Sequence, residues 1–491
     1  MSTDRAARAR SAPPPESAGG VWARERRPLT AGLVFAVTLV AFEALAIATI
    51  LPVVSRHLGD LRLYGWVFSA FLLSSLIGIV LAGTLADRVP LGRPMLAGLI
   101  LFALGLAVGG TAPDMAVLVA GRAVQGLGAG VVAAVAYVAI SRGYPEACRP
   151  RMFAVLSTAW VVPGLVGPAI AALVASAVGW RWVFLGLLPL VAVAGLLVLL
   201  ALRHVPPPAP ASPAAHAPAV PYLPVLGVVA GAGLALAGVS SGQLPAVAVG
   251  AVVGGTLLAV SLRPLVPPGT LVARRGLPAT ILSRGLLTCC FFAGDAYVPY
   301  AIVTVRHAPT TLAALTLTAS TLTWTAGAWV QARYITRVGP RRLVRSGEGL
   351  VLAGLGLMAL TLVPSVPPAL AILAWAVAGA GIGMAYAPLS VTTLDRATVG
   401  EEGRATSALQ LCDVLGQAIG TGVAGAIVAA VSAGPGHRTA VALAFSFAVA
   451  VAVIALAAGQ RLPDRLTGPE AGRTSPSPSP QEPEPMAGRS G

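Results

Sequence analysis

Runs of about twenty apolar residues recur along nearly the whole chain, each closed by a short break holding Arg, Pro or Gly, and one such run is what an α-helix needs to cross a bilayer. With lipid as the solvent, each segment must satisfy its own backbone N–H and C=O groups, so these runs dictate helices. Of the 491 residues, 56% are hydrophobic and only 10% charged, too few charges to keep so long a chain in water as a soluble domain. The expected class is an all-α, polytopic membrane protein whose main partner is the lipid bilayer.

Read between breaks, the runs place helices 1 to 6 at residues 29–51, 64–86, 95–111, 115–141, 152–178 and 182–202. Helices 7 and 8 fall at 222–240 and 244–262, and helices 9 to 14 at 278–305, 310–334, 343–363, 369–391, 405–431 and 439–458. This layout of six, two and six divides the chain. A basic disordered tail (1–28) precedes a six-helix bundle (29–202), a Pro-rich connector (203–221), two additional helices (222–262), a second six-helix bundle (263–460) and a Pro-, Ser- and Glu-rich disordered tail (461–491). The first apolar run is too long for a signal-peptide core, so an uncleaved first helix is expected.

All 33 basic residues are Arg, and the formal net charge is +15. The arginines are dispersed between apolar runs and form no basic domain, which excludes nucleic acid as a partner. Their distribution sets orientation instead. With the N-terminus inside, 26 Arg lie in inside segments and five (Arg56, Arg62, Arg181, Arg306, Arg438) in outside loops, the bias expected when both termini are cytoplasmic. An odd helix count would put Arg333, Arg337, Arg341, Arg342 and Arg345 on the wrong face. Arg without Lys, with much Ala, Gly and Pro, matches the coding bias of a GC-rich bacterium and places the chain in a bacterial inner (plasma) membrane. Cys148, Cys289, Cys290 and Cys412 show no CxxC or His spacing, so they read as inert thiols and no metal is expected.

Several short stretches break the apolar pattern. The loop after helix 2 runs from Gly83 through Asp87, Arg88, Gly92 and Arg93 to Pro94. Its glycines permit close approach, and Asp87 can accept from helix N-terminal amides and pair with an Arg. A charged solvated loop would account for the arginines but not for Asp87. The second half repeats the pattern from Gly327 to Arg342, with Gln331 where the acid should stand. Helix 4 carries Arg122, Gln125, Gly126, Gly128 and Gly130. An Arg that deep costs roughly 2.5 to 3.5 kcal/mol on insertion scales and needs a partner. Glu43 on helix 1 is the candidate, since both lie roughly 20 Å from the inner face at about 1.5 Å per residue. Helix 5 holds Pro163, Gly164, Gly167 and Pro168, which predict a kinked, closely packed helix. Asp295 in helix 9 and Asp413 in helix 13 are further deep acids, Asp295 as the repeat counterpart of Glu43; the glycines of helix 13 read as a packing face.

From residue 29 to 458, these stretches resemble the major facilitator superfamily, in particular its fourteen-helix drug:proton antiporter branch. The resemblance implies a major facilitator fold of two six-helix bundles plus two central helices, with Asp87, Arg88 and Arg93 locking the halves on the cytoplasmic side against the start of helix 13. It implies alternating access around a cavity lined by helices 1, 4, 5, 9 and 13. Glu43, Arg122, Gln125, Asp295 and Asp413 would serve protons or substrate, and Gly164, Gly167 and Pro168 belong to a helix 5 signature associated with export. The expected function is a secondary, proton-coupled antiporter exporting lipophilic or cationic drugs, monomeric and without a cofactor beyond the proton gradient. The alternative is a dedicated exporter of a lipid, siderophore or endogenous antibiotic. A polytopic membrane enzyme ranks far behind, because the five His are scattered, and a nucleotide-driven pump lacks its phosphate loop. The orientation is checked by fusing a reporter that fluoresces only in the cytoplasm: full-length fusions after Gly491 should glow, and fusions truncated after His307 should stay dark.

Overall fold

The computed structural model describes residues 20–86, 88–145, 148–203, 205, 222–398, 402–432 and 436–466. Nearly all of the Pro-rich connector and most of both tails lie outside the described residues. Fourteen helical passes follow in order: α1 (Arg27–Leu58), α2 (Trp66–Ala86), α3 (Gly92–Thr111), α4 (Met115–Gly143), α5 (Arg149–Thr158 and Val161–Ala177), α6 (Arg181–Leu202), α7 (Tyr222–Ser240), α8 (Leu244–Leu262), α9 (Leu277–Val305), α10 (Thr310–Val338), α11 (Pro340–Leu360), α12 (Leu370–Arg396), α13 (Glu402–Ser432) and α14 (His437–Gly459). Twelve are long and apolar enough to cross a bilayer; the others are the interrupted α5 and the Thr-rich α10. In α10 the hydroxyls of Thr316, Thr321, Thr323 and Thr325 each donate to a carbonyl one turn back, so a low-hydropathy helix still leaves no hydroxyl of these four unsatisfied.

Prolines depart from expectation in two places. Helix 1 does not end before Pro52 but runs two turns further, with the freed backbone buried among neighbours. The interruption in α5 falls at Ala159 and Trp160, where Pro163 has no N–H to return to Ala159, whereas Pro168 sits inside a continuous segment. The tails also begin later than composition suggests. Val21 is buried and its carbonyl accepts from Thr30 Oγ1 at 2.6 Å, so 20–26 is a folded turn.

The two bundles repeat one packing device. A Cβ on Gly126 would lie 2.1 Å from the Phe71 carbonyl oxygen, and on Gly130 2.1 Å from that of Ser75, so α4 and α2 touch backbone to backbone. In the second bundle Gly379 and Gly383 meet Ser320 and Trp324 oxygens at 2.3 and 2.1 Å, bringing α12 onto α10 in the same way. Identical spacing on corresponding helices is the mark of a parallel repeat.

With an even number of described passes, the start of α1 and the end of α14 lie at one end of the bundles, the terminal side, and the bundles join at the opposite, far side. There Ser69 Oγ on α2 donates to the Ala418 carbonyl on α13 at 2.8 Å. Tyr64 packs on Tyr297 and Tyr300 with ring centroids 5.0 and 5.3 Å apart, and a Cβ on Gly65 would stand 3.0 Å from Gly425 Cα. The additional pair is no detached insert. α7 lies across the seam between α2 and α13: Val228, Ala232 and Leu236 share a buried cluster with Leu73, Leu409 and Leu415, and Trp66 Nε1 donates to Ser240 Oγ at 3.1 Å. α8 packs on α7 and presents most of its surface outward. Since overpacking costs roughly 1–3 kcal/mol, Gly130→Ala and Gly383→Ala should each lower the thermal midpoint of the detergent-solubilised protein. Gly233→Ala, where an added methyl meets nothing within 4 Å, should leave it unchanged.

Candidate functional site

The first bundle buries a cluster of three polar side chains, Arg122, Glu43 and Gln125. Arg122 on α4 donates from Nη1 to Glu43 Oε1 on α1 and, at 2.7 Å, to Gln125 Oε1 one turn along its own helix. Its Nε donates to the Val67 carbonyl on α2 at 3.0 Å, and its guanidinium lies 4.2 Å from the centre of the Phe71 ring. Arg122 and Glu43 are only 2% and 1% exposed, so the pair is removed from both lipid and the headgroup region. The cluster is nonetheless incomplete: among the described residues, Glu43 Oε2 and Gln125 Nε2 are buried with no hydrogen-bond partner.

A second buried ion pair occupies the other bundle. Arg284 on α9 donates from Nε to Asp413 Oδ1 on α13 at 3.1 Å, and from Nη1 to the Tyr386 carbonyl at 2.5 Å and to Ser390 Oγ at 3.3 Å on α12. The Tyr386 hydroxyl donates to Asp413 Oδ2 at 2.8 Å, and the guanidinium sits over the Tyr386 ring. Here both carboxylate oxygens are engaged. Arg284 and Tyr386 were not selected from the sequence, although an Arg seven residues inside an apolar run carries the same signal that singled out Arg122. Asp295 is not the mirror of Glu43: it accepts from Trp375 Nε1 at 2.8 Å and makes no ion pair among the described residues. Around it Phe291, Phe292, Trp324 and Trp375 form a contiguous aromatic group that reaches Tyr386.

Asp87 lies outside the described residues, as do residues 399–401 before α13. Arg88 and Arg93 are exposed, and a Cβ on Gly83 would meet nothing within 4 Å among the described residues, while Gly92 would meet only Leu199 at 3.9 Å. Among the described residues, nothing approaches either glycine closely in this conformation. Arg142 on α4 instead caps α2 by donating to the Ala86 carbonyl at 2.9 Å. In the repeat, the acid missing at Gln331 is supplied from elsewhere: Arg341 pairs with Asp464 at 2.5 Å, in a strap that follows α14. That strap, 461–466, belongs to the stretch that composition assigns to disorder. Arg461 ties it to Val272 and Arg396 ties it to Arg465. In α5, Gly164 faces Thr321 of α10 across the bundle interface, with no room for a Cβ, while Gly167 is in ordinary contact with Phe42 and Pro168 lies within the helix.

The sequence profile of the Major Facilitator Superfamily matches residues 33–421 and 285–486. A probable multidrug-efflux transporter of Mycobacterium tuberculosis (strain ATCC 25618 / H37Rv) is 29% identical over 410 residues, covering 80% of this chain and 85% of that protein. Among solved structures, the POT family transporter PepTSo superposes with a TM-score of 0.65 at 14% identity, covering 88% of this chain and 97% of that one. A D-xylose-proton symporter does so at 0.63 and 15%, covering 89% and 98%. Removing one partner of a buried pair strands the other charge at a cost of roughly 3–5 kcal/mol, whereas replacing both with apolar residues is near neutral. Arg284→Ala should therefore sharply lower thermal stability, and Arg284→Met with Asp413→Leu should recover most of the loss.

Proposed function

We propose that this chain, which belongs to the Major Facilitator Superfamily and is a multi-pass membrane transporter, exports lipophilic or cationic drugs in exchange for protons. Its seat is the plasma membrane of a bacterium, with both termini cytoplasmic. It works as a monomer with the proton gradient as its only energy source. The terminal side is then the cytoplasmic one, and closure at the far side describes an inward-facing conformation.

The observation that carries this reading is the contrast between the two buried carboxylates. Asp413 has both oxygens occupied and serves as a fixed counter-charge for Arg284. Glu43 has one oxygen on Arg122 and one unpartnered, so it has capacity for a proton or for a cationic ligand. Either one weakens the hold of Arg122, and the difference between the empty and the loaded cluster is the differential interaction a conformational switch requires. Asp87, Arg88 and Arg93, with Gly83 and Gly92, would close the cytoplasmic side in the opposite conformation. Aromatic rings at Phe292, Trp324 and Tyr386 beside Asp295 suit a flat lipophilic cation, which gains from ring faces once desolvated. The relatives named for multidrug efflux, the mycobacterial protein and the multidrug resistance protein 3 of Bacillus subtilis (strain 168), support a drug as cargo.

The test is uptake of ethidium, beside a neutral drug, into proteoliposomes under an imposed pH gradient. Wild type should respond to the gradient. Glu43→Gln should lose at least about tenfold of the gradient-driven component, equivalent to roughly 1.4 kcal/mol of coupling, while retaining exchange in its absence. Equal gradient-driven uptake by Glu43→Gln would remove Glu43 from the coupling step.

A further inference from the structure

One acidic side chain stands apart from both ion pairs. Glu348, on α11, is 1% exposed, and among the described residues neither carboxyl oxygen has a hydrogen-bond partner. The helix begins at Pro340, so Glu348 lies about 12 Å along it from the terminal side at roughly 1.5 Å per residue. Its neighbours one turn either way, Val344 and Val351, are fully buried. On α14 it faces Gly459, whose missing Cβ makes the space: a methyl there would stand 2.5 Å from Glu348 Oε2. On α9 the nearby titratable group is Cys290, whose thiol donates to the Leu287 carbonyl. Arg345 stands one turn earlier on the same helix, and among the described residues the two form no ion pair. Arg345 is exposed, with its stem against the same glycine. After α14, Arg461 is committed to the Val272 and Ala273 carbonyls.

A carboxylate cannot be held in such a pocket without a partner, whereas a neutral carboxyl group can be held at far lower cost. We infer that Glu348 is a proton-binding site, separate from the Glu43 cluster, that exchanges with the terminal side and sets the packing of α14 on α11. With its proton, the side chain stays folded against Gly459, as in this structure. Without it, the charge is drawn to Arg345 one turn away, and α14 loses the contact that the glycine provides. The bound ligand is a proton, and the bistable element is the α11–α14 contact. Transport then falls when the terminal-side compartment becomes alkaline, because ionised Glu348 is incompatible with the observed packing. This site goes beyond the role of Glu43 and does not depend on it.

Infrared difference spectroscopy on the full-length protein in liposomes, stepped from neutral to alkaline pH, reads buried protonated carboxyl groups directly. A carboxyl C=O band that disappears in the alkaline step should be present in wild type and in Glu43→Gln, and missing in Glu348→Gln. Ethidium exchange measured without a pH gradient, with both compartments stepped together from neutral to alkaline pH, should fall in wild type and stay level in Glu348→Gln. Gly459→Ala, which places a methyl against the carboxyl, should lose the same band already at neutral pH, and it gives a second reading should Glu348→Gln fail to fold. The proposal is overturned if the band persists in Glu348→Gln, if Gly459→Ala leaves it unchanged, or if the alkaline fall is the same in wild type and Glu348→Gln. Failure of Glu43→Gln to alter coupling would leave all three readouts standing.

Discussion

A guanidinium and a carboxylate placed together in hydrocarbon determine much of the rest of the first bundle. Neither Arg122 nor Glu43 is tolerable there alone, so α1 and α4 must face each other at that depth. The Val67 carbonyl and the Phe71 ring then bring α2 into the same contact. Backbone contact at Gly126 and Gly130 is what lets α2 come close enough to deliver that carbonyl. Charge chemistry and glycine packing are thus one arrangement, with the small residues positioning the donors and acceptors that neutralise the Arg.

The second bundle repeats the scaffold but not the chemistry. α12 meets α10 through glycines at the same spacing, yet the buried Arg has moved to α9 and its acid to α13. Both carboxylate oxygens of that cluster are matched across three helices. The seam between bundles is overlaid by α7, anchored to both α2 and α13. The additional pair thus packs on both halves without a place in either buried ion-pair cluster.

Much of the fold is legible in the sequence for a physical reason: lipid forces each backbone to satisfy itself, so helix number follows from apolar run length, and deep charge advertises itself by its cost. Glu43 and Arg122 stand out that way. What the sequence hides depends on long-range contact or on helix ends. Asp464 supplies a missing acid from more than a hundred residues away, which no local pattern encodes. Glu348 looks interfacial in the sequence because the apolar run of helix 11 begins at 343, and three further residues of helix carry it into the bundle. Pro163 and Pro168 are alike in sequence, and only packing decides which one interrupts α5. Repeat position ranks Asp295 above Asp413 and is misleading, because the repeat preserves backbone and not side-chain partners.

An empty Glu43–Arg122 pair, on this mechanism, holds the bundles closed at the far side, and neutralising Glu43 frees them. The most direct measurement is the distance across that closure, read by pulsed electron resonance between spin labels at Arg62→Cys and Arg438→Cys, both exposed on the far side. Acidification should add a longer component to the distance distribution in an otherwise wild-type chain, and Glu43→Gln should show that component at every pH. Distributions that ignore both pH and the substitution would contradict the claim that this pair governs the switch.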